Sequence, residues 1–254
     1  MPDVSGPMPG SFCWIELATS DPEAAKRFYA SLFDWNVDEN DMGEMGKYYI
    51  FRKGERDSAA MYGMMADQKA QGIPPNWLTY IAVENAEAFV AKAQGLGASV
   101  LQPPFDVMDF GRMAVLQDPQ GAVFAIWEAK SHWGVKIRDE ANTLCWNELA
   151  TSDPKASGEF YAALTGWTTK PSPEYTEWHL EGKPIGGMRT INPGEPTPPS
   201  WMPYFMVDDC DATTAKAQSA GGQACVEPCD LPNVGRFSVL VDPQGAVFAL
   251  YKPM

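Results

Sequence analysis

The chain has 254 residues, 45% of them hydrophobic, and a formal charge of -14 at neutral pH. That length holds one large domain or two ordinary ones with substantial cores. Its acidity argues against nucleic acid and anionic membrane as partners, since both need a basic face, and leaves neutral or cationic small molecules open.

In chain order, residues 12–18 read as a short strand. Asp21 then supplies a helix N-cap with Pro22 at the first helical position. Ala24, Phe28, Leu32 and Trp35 fall near one face of that helix. After a polar turn, residues 47–52 and 58–65 read as strands, and a Pro-rich bridge at 73–76 leads to Trp77. From there the pattern restarts. A strand runs to Val83 and a helix covers 85–94, ended by Gly95 and Gly97. Strands follow near 99–102, 113–117 and 122–128, with turn chemistry in Asp118-Pro119-Gln120-Gly121 between the last two.

The whole pattern then recurs. Residues 12–35 and 144–167 share fifteen identities in twenty-four positions, and the ten residues from Cys13 to Pro22 return with only Ile15 changed, to Asn147. Further on, Gly63 aligns with Gly187, Trp77 with Trp201, Tyr80 with Tyr204 and Gly111-Arg112 with Gly235-Arg236. Residues 118–125 recur letter for letter as 242–249. A fixed internal repeat is one supersecondary unit used again. The expected organisation is a first domain over 1–130, a connector over 131–143 holding His132 and Trp133, and a second domain over 144–254.

The doubled strand–helix–strands unit, with Phe-Tyr in its first helix and a closing Asp-Pro-x-Gly hairpin, resembles the glyoxalase/bleomycin-resistance/dioxygenase group, the vicinal oxygen chelate superfamily. The likeness is nearest to its two-domain glyoxalase-like branch, whose members carry labels such as antigen or hydroxylase. The resemblance implies an α+β fold of tandem domains, each a pair of βαβββ units closing a cup-shaped mixed sheet. In metal-dependent members four His, Gln or Glu ligands line each working cup. Here those positions map to Trp14, Leu78 and Ala125 in the first half and to Trp146, Met202 and Ala249 in the second. The fourth falls within 59–63 or 184–187. None of the three named positions in either half can bind a divalent ion, and neither of those two stretches contains a His, Gln, Asn or acid. The expectation is therefore no metal and no cofactor.

The resemblance implies that the ligand positions look inward, and strand alternation carries that face along each segment. It places Trp14, Glu16, Leu78, Tyr80, Ala125 and Trp127 in the first cup, and Trp146, Glu148, Met202, Tyr204, Ala249 and Tyr251 in the second. Tyr49 and His179 are expected near the rims. Cys13 and Cys145 are read as packing residues on the opposite face, toward the helices. Aromatic walls with a few placed polar groups suit a small organic ligand, unless the tryptophans simply fill the space. Glu16 and Glu148 are expected to pair with Arg112 and Arg236, because buried charges are normally compensated. Left free, each would suit acid/base chemistry or, with Trp and Tyr, an organic cation.

Three readings follow: a metal-free binder of a neutral or cationic organic molecule, a metal-independent lyase, isomerase or hydrolase using Glu16 or Glu148, and an interaction module with filled cups. No Ser-His-Asp set, phosphate loop or dinucleotide fingerprint is present. Five cysteines without C-x-x-C spacing read as reduced thiols. With no leader-like segment in the first ten residues and no bilayer-length apolar run, the expected protein is cytoplasmic, free of membrane and nucleic acid, and a monomer or homodimer.

Overall fold

The computed structural model describes residues 3–254. The first half runs β1 (Phe12–Thr19), α1 (Pro22–Phe33), β2 (Asn36–Asp41), β3 (Lys47–Lys53), β4 (Arg56–Gly63) and a short α2 (Ala66–Ala70). It continues as β5 (Asn76–Val83), α3 (Ala86–Gly95), β6 (Ser99–Val107), β7 (Gly111–Gln117) and β8 (Val123–Ala129). The second half repeats this as β9 (Thr143–Thr151), α4 (Pro154–Thr165), β10 (Thr168–Pro171), β11 (Tyr175–Leu180) and β12 (Lys183–Thr190). Then come β13 (Ser200–Met206), α5 (Cys210–Ser219), β14 (Gln223–Leu231), β15 (Gly235–Val241) and β16 (Val247–Pro253). No helix among these is long and apolar enough to cross a membrane.

Each half builds one eight-stranded mixed sheet, ordered β2-β3-β4-β1-β5-β8-β7-β6 and β10-β11-β12-β9-β13-β16-β15-β14. In the first, β1 pairs in parallel with β4, β5 in parallel with β8, and β1 runs antiparallel to β5 at the centre. Two βαβββ units are thus joined through their first strands, the expected fold. Two elements depart from expectation. The polar stretch 36–41, read as a turn, is a strand, held at the sheet edge by ion pairs of Glu39 with Lys26 and Lys47. β6 runs on through Pro103 and Pro104 with two bulges, which an edge strand tolerates because its outer N–H groups need no partner.

The cores are not private to either half. One cluster joins Phe28, Tyr29 and Phe33 of α1 to Phe205, Leu240 and Phe248 of the second half. The other joins Ile81, Phe124 and Ile126 of the first half to Phe160, Tyr161 and Trp167 around α4. Each first-unit helix is therefore buried against the opposite half's second unit. Its C-terminal carbonyls are closed from there as well: Lys216 Nζ donates to Ser31 O at 2.6 Å, and Lys92 Nζ to Leu164 O at 3.0 Å. Cations at helix C-termini complement the exposed carbonyls.

The repeated Asp-Pro-Gln-Gly turn acquires a second function from this arrangement. Asp118 Oδ1 accepts from the backbone N–H groups of Gln120 and Ala122, and Asp242 Oδ1 does the same in its own turn. The other oxygen of each is bonded from the opposite half, by the Tyr161 hydroxyl to Asp118 at 3.0 Å and by the Tyr29 hydroxyl to Asp242 at 2.9 Å. Trp201 and Trp77 indole N–H groups donate back to those tyrosine oxygens. Removing either hydroxyl strands two buried polar groups at once. Tyr29→Phe and Tyr161→Phe should each lower unfolding free energy by roughly 2 kcal/mol, and their sum should hold within about 0.5 kcal/mol in the double variant if the sites act independently. Urea denaturation measures this; a loss near zero for both would remove the bonds from the list of stabilising contacts.

Candidate functional site

The concave face of each sheet carries the residues that alternation assigns to it. In the first cup Trp14, Leu78, Tyr80, Ala125 and Trp127 form one apolar cluster. In the second, Trp146, Met202, Tyr204, Ala249 and Tyr251 do the same. One carboxylate sits in each. Glu16 accepts from the Tyr48 hydroxyl at 2.7 Å and the Tyr80 hydroxyl at 2.9 Å, and the Trp14 indole N–H points to the Tyr48 oxygen at 3.4 Å. In the second cup the Trp146 indole donates to the Tyr175 oxygen at 2.8 Å, and Tyr175 and Tyr204 flank Glu148. Burial pushes both carboxyls above their ordinary value, against the lowering effect of the tyrosine hydroxyls, and it pushes Tyr48, Tyr80 and Tyr204 well above theirs. A chain of Trp, Tyr, Glu and Tyr is thus built twice.

Four expectations are corrected. Arg112 does not reach Glu16; it pairs with Glu87 and Asp106. Arg236 likewise pairs with Asp211 and Asp230, not with Glu148. The reason is parity: Met113 and Phe237 belong to the cup clusters, so the arginine preceding each faces the other way. Tyr49 is in the helix-side core and donates to Glu23, while its neighbour Tyr48 faces Glu16. A one-residue slip exchanges the faces of a strand, and two adjacent tyrosines hide the slip from sequence reading. Cys13 and Cys145 are buried as expected, but a bulge in each first strand turns them into the cup-side clusters and leaves their thiols against the Tyr80 and Tyr204 carbonyls. His179, expected at the second rim, is hydrogen-bonded to Glu177 at 2.8 Å.

Sequence alignment also paired Gly63 with Gly187, whereas sheet register sets Gly187 beside Glu148 as Ala60 stands beside Glu16. A Cβ on Gly187 would lie 2.2 Å from the Tyr175 hydroxyl oxygen, so glycine is what lets that ring cross to Glu148. The same register makes Arg189 the counterpart of Tyr62. Arg189 Nε lies 3.5 Å from Glu148, and its other end grips Glu195 at 2.6 Å. Tyr48, Tyr175 and Arg189 were missed by sequence reading. The aromatic residues carried the right type of signal but ambiguous parity; Arg189 carried none.

The cups differ most at their openings. Over the first, His132 stacks edge-on against Trp14 with ring centroids 4.9 Å apart, and Val135 completes the cluster. His132, Lys136 and Arg52 surround Asp57, whose carboxyl they hold far below the usual range despite its burial. In the second cup Trp146 and Tyr251 are partly exposed where Trp14 and Trp127 are buried, whereas Leu78 and Met202, and Met113 and Phe237, are partly exposed in both cups, and Glu148 is buried where Glu16 is only partly so. Two surface grooves, of about 320 Å³ beside Phe89 and Leu164 and about 410 Å³ beside Gly158 and Met188, are lined by no cup residue.

Paired βαβββ units closing a cup, with the repeat's motifs at its strands and turns, define a tandem glyoxalase-like protein. The comparisons agree. Residues 11–126 match the Glyoxalase/Bleomycin resistance protein/Dioxygenase superfamily, and residues 145–251 match the glyoxalase-like domain family. The chain belongs to that superfamily. It is 41% identical to the candidate glyoxylase CFP32 of Mycobacterium tuberculosis, across 100% of this chain and 98% of that one. It is 32% identical to the anthracycline biosynthesis protein DnrV of Streptomyces peucetius, across 95% of this chain and 93% of the relative. Among solved structures, the Mn(II)-bound glyoxalase of Novosphingobium aromaticivorans superposes with a TM-score of 0.66 at 15% identity, over 99% of this chain and 83% of that one. The 2,3-dioxygenase LapB of a Pseudomonas species gives 0.64 at 11%, over 96% and 93%. At such identities these structures share the fold.

The fold's metal does not fit the residues found here. Each cup offers one carboxylate, already engaged or flanked by tyrosines, and apolar or aromatic side chains at the mapped ligand positions. Among the described residues no three His, Cys, Asp or Glu side chains converge. Divalent transition ions need several such donors together.

Glu16 also sets a pH dependence. Below its ordinary value of 4.5 it is neutral in folded and unfolded chains alike. As pH rises the unfolded carboxyl ionises first, so the folded state holds the extra proton and loses stability up to its own raised pKa. The Glu16→Gln variant should therefore gain stability relative to wild type as pH climbs from about 4.5 toward 7. Chemical denaturation at a series of pH values tests this, and a constant difference from pH 4 to 8 would contradict it.

Proposed function

We propose that the protein binds a small organic molecule in the second cup, against Trp146 and Tyr251 and beside Glu148. The observation that carries this is the partial exposure of Trp146 and Tyr251, whose counterparts Trp14 and Trp127 are buried beside His132. A concave apolar patch with a few converging polar groups is the usual form of a small-molecule site. The name of the relative DnrV supports an aromatic ligand, since it places that protein in anthracycline biosynthesis. The chain's formal charge of -14 favours neutral or cationic compounds over anions. The cup works without a bound metal in this reading.

A second reading, proton transfer by Glu148, rests on a carboxyl held above its ordinary range beside two tyrosines. Carboxyls tuned in this way serve as general acids or bases near neutral pH. It requires turnover that Glu148→Gln abolishes while binding persists.

Titration of intrinsic fluorescence with polycyclic aromatic compounds, anthracyclines included, tests the binding reading. Saturable quenching is expected in wild type and in Trp14→Phe. Trp146→Phe should weaken it by roughly tenfold, the worth of one good aromatic contact. A flat response across the panel, or equal loss in both variants, would overturn the assignment to the second cup.

A further inference from the structure

The two cups come from one repeated sequence, yet the first already has an occupant drawn from its own chain. After β8 the backbone crosses the near end of the first cup. Val135 N–H donates to the Cys13 carbonyl and Lys136 N–H to that of Asp57, both at 2.8 Å. The bulge at Cys13 takes its carbonyl out of the β1–β5 ladder and frees it for this contact. Gly134 immediately precedes these anchors with φ +110°, and a Cβ there would sit 2.0 Å from the Cys13 oxygen, so the path admits only glycine.

Just ahead of that anchor, His132 places its imidazole edge-on to Trp14, at 4.9 Å and 86°, and edge-on to Trp127, at 6.3 Å and 82°. The Trp127 indole N–H donates to the carbonyl of His132 at 2.7 Å. With this ring in place Trp14 and Trp127 are only 6% and 8% exposed.

The same two walls stand in the second cup. Trp146 replaces Trp14 by repeat and register, and Tyr251 replaces Trp127, since it pairs with Phe237 as Trp127 pairs with Met113. Both are partly exposed, and among the described residues neither is paired edge-to-face with a ring as Trp14 is with His132, although Phe237 shares their cluster. The exposure difference between the two cups thus falls where the His132 ring stands in the first. Edge-to-face placement against Trp and Tyr favours an aromatic ring over an aliphatic one, and favours a cation over an anion. The chain's formal charge of -14 works in the same direction.

We infer that the second cup takes a planar aromatic or heteroaromatic ring, uncharged or cationic, in the place that the His132 imidazole fills in the first cup, so that one chain binds one equivalent. This rests on the binding function proposed above and names its ligand class and stoichiometry. The first cup is closed by an internal ligand, and its release would create a second site of the same kind.

Calorimetry and fluorescence on the full chain, with benzimidazole, 2-naphthol and 2-naphthoate as probes, test it. Wild type is expected to bind one equivalent of benzimidazole or 2-naphthol with Trp146 as the reporting residue, and to bind 2-naphthoate at least about tenfold more weakly. His132→Gly should bind a second equivalent reported by Trp14, and should take up 4-methylimidazole, the excised ring, at that place. His132→Ala, which leaves the connector backbone less free, carries the same test where the glycine variant folds poorly. Two equivalents in wild type, only one in a folded His132 variant, or equal affinity for the naphthoate would overturn the inference while leaving a binding function standing. No binding of any probe by wild type, with the His132 variants alone responding, would overturn the function itself.

Discussion

The reciprocal bond from a helix tyrosine to the turn aspartate of the opposite half is the contact on which the rest of this molecule depends. Tyr29 reaches Asp242 and Tyr161 reaches Asp118, each inside a core supplied by both halves. A βαβββ pair can close its sheet alone and pack its first helix on it, but Phe28, Tyr29 and Phe33 also need the cover that Phe205, Leu240 and Phe248 of the other half supply. Packing the halves so that each helix is covered by the other solves this for both at once. The Lys92 and Lys216 contacts to helix C-termini follow the same exchange. Repeated sequence is therefore retained at Phe-Tyr and Asp-Pro-Gln-Gly because these residues face the partner half, whatever happens inside the cups.

That division leaves the concave faces free to diverge. Both keep the Trp, Tyr, Glu and Tyr chain, whose members satisfy one another in a space with little water. Around it the substitutions run in opposite directions. The first cup gains Tyr62 and the His132 ring; the second gains Gly187, Arg189 and an open Trp146. The Trp14 and Trp127 rings are buried in the first copy, and Trp146 and Tyr251 partly exposed in the second. The single change inside the ten-residue repeat belongs to the packing layer instead: Asn147, where the first half has Ile15, accepts a bond from Thr79 of the other half at 3.0 Å.

The poor fit of these cups to a divalent ion follows from residue type alone. Tyrosine hydroxyls held protonated by burial are hydrogen-bond donors rather than anionic ligands, and one carboxylate between two of them has its lone pairs already directed. Such a centre can bind, orient or exchange a proton with a ring resting on the adjacent tryptophan.

Sequence by itself determined the duplication, the order of strands and helices, the family, and most of the inward residues, because each depends on local periodicity or on identity between the copies. Trp14, Glu16, Tyr80, Trp127 and their second-half counterparts were placed by alternation along a strand together with the inward position that the family resemblance implies for the ligand sites. What failed was whatever alternation could not carry: Tyr48 against Tyr49, where adjacent like residues conceal parity, and Cys13 and Cys145, where a bulge resets it. Arg112 and Arg236 were assigned to the glutamates on the general need to pair a buried charge, when tyrosine hydroxyls meet that need at shorter range. Only the tertiary structure decided that the cores are shared between halves and that the connector's His132 closes one cup. Both are contacts between residues far apart in the chain, fixed by packing volume and by backbone groups left free after the sheets have paired, and neither leaves a periodic trace in the sequence.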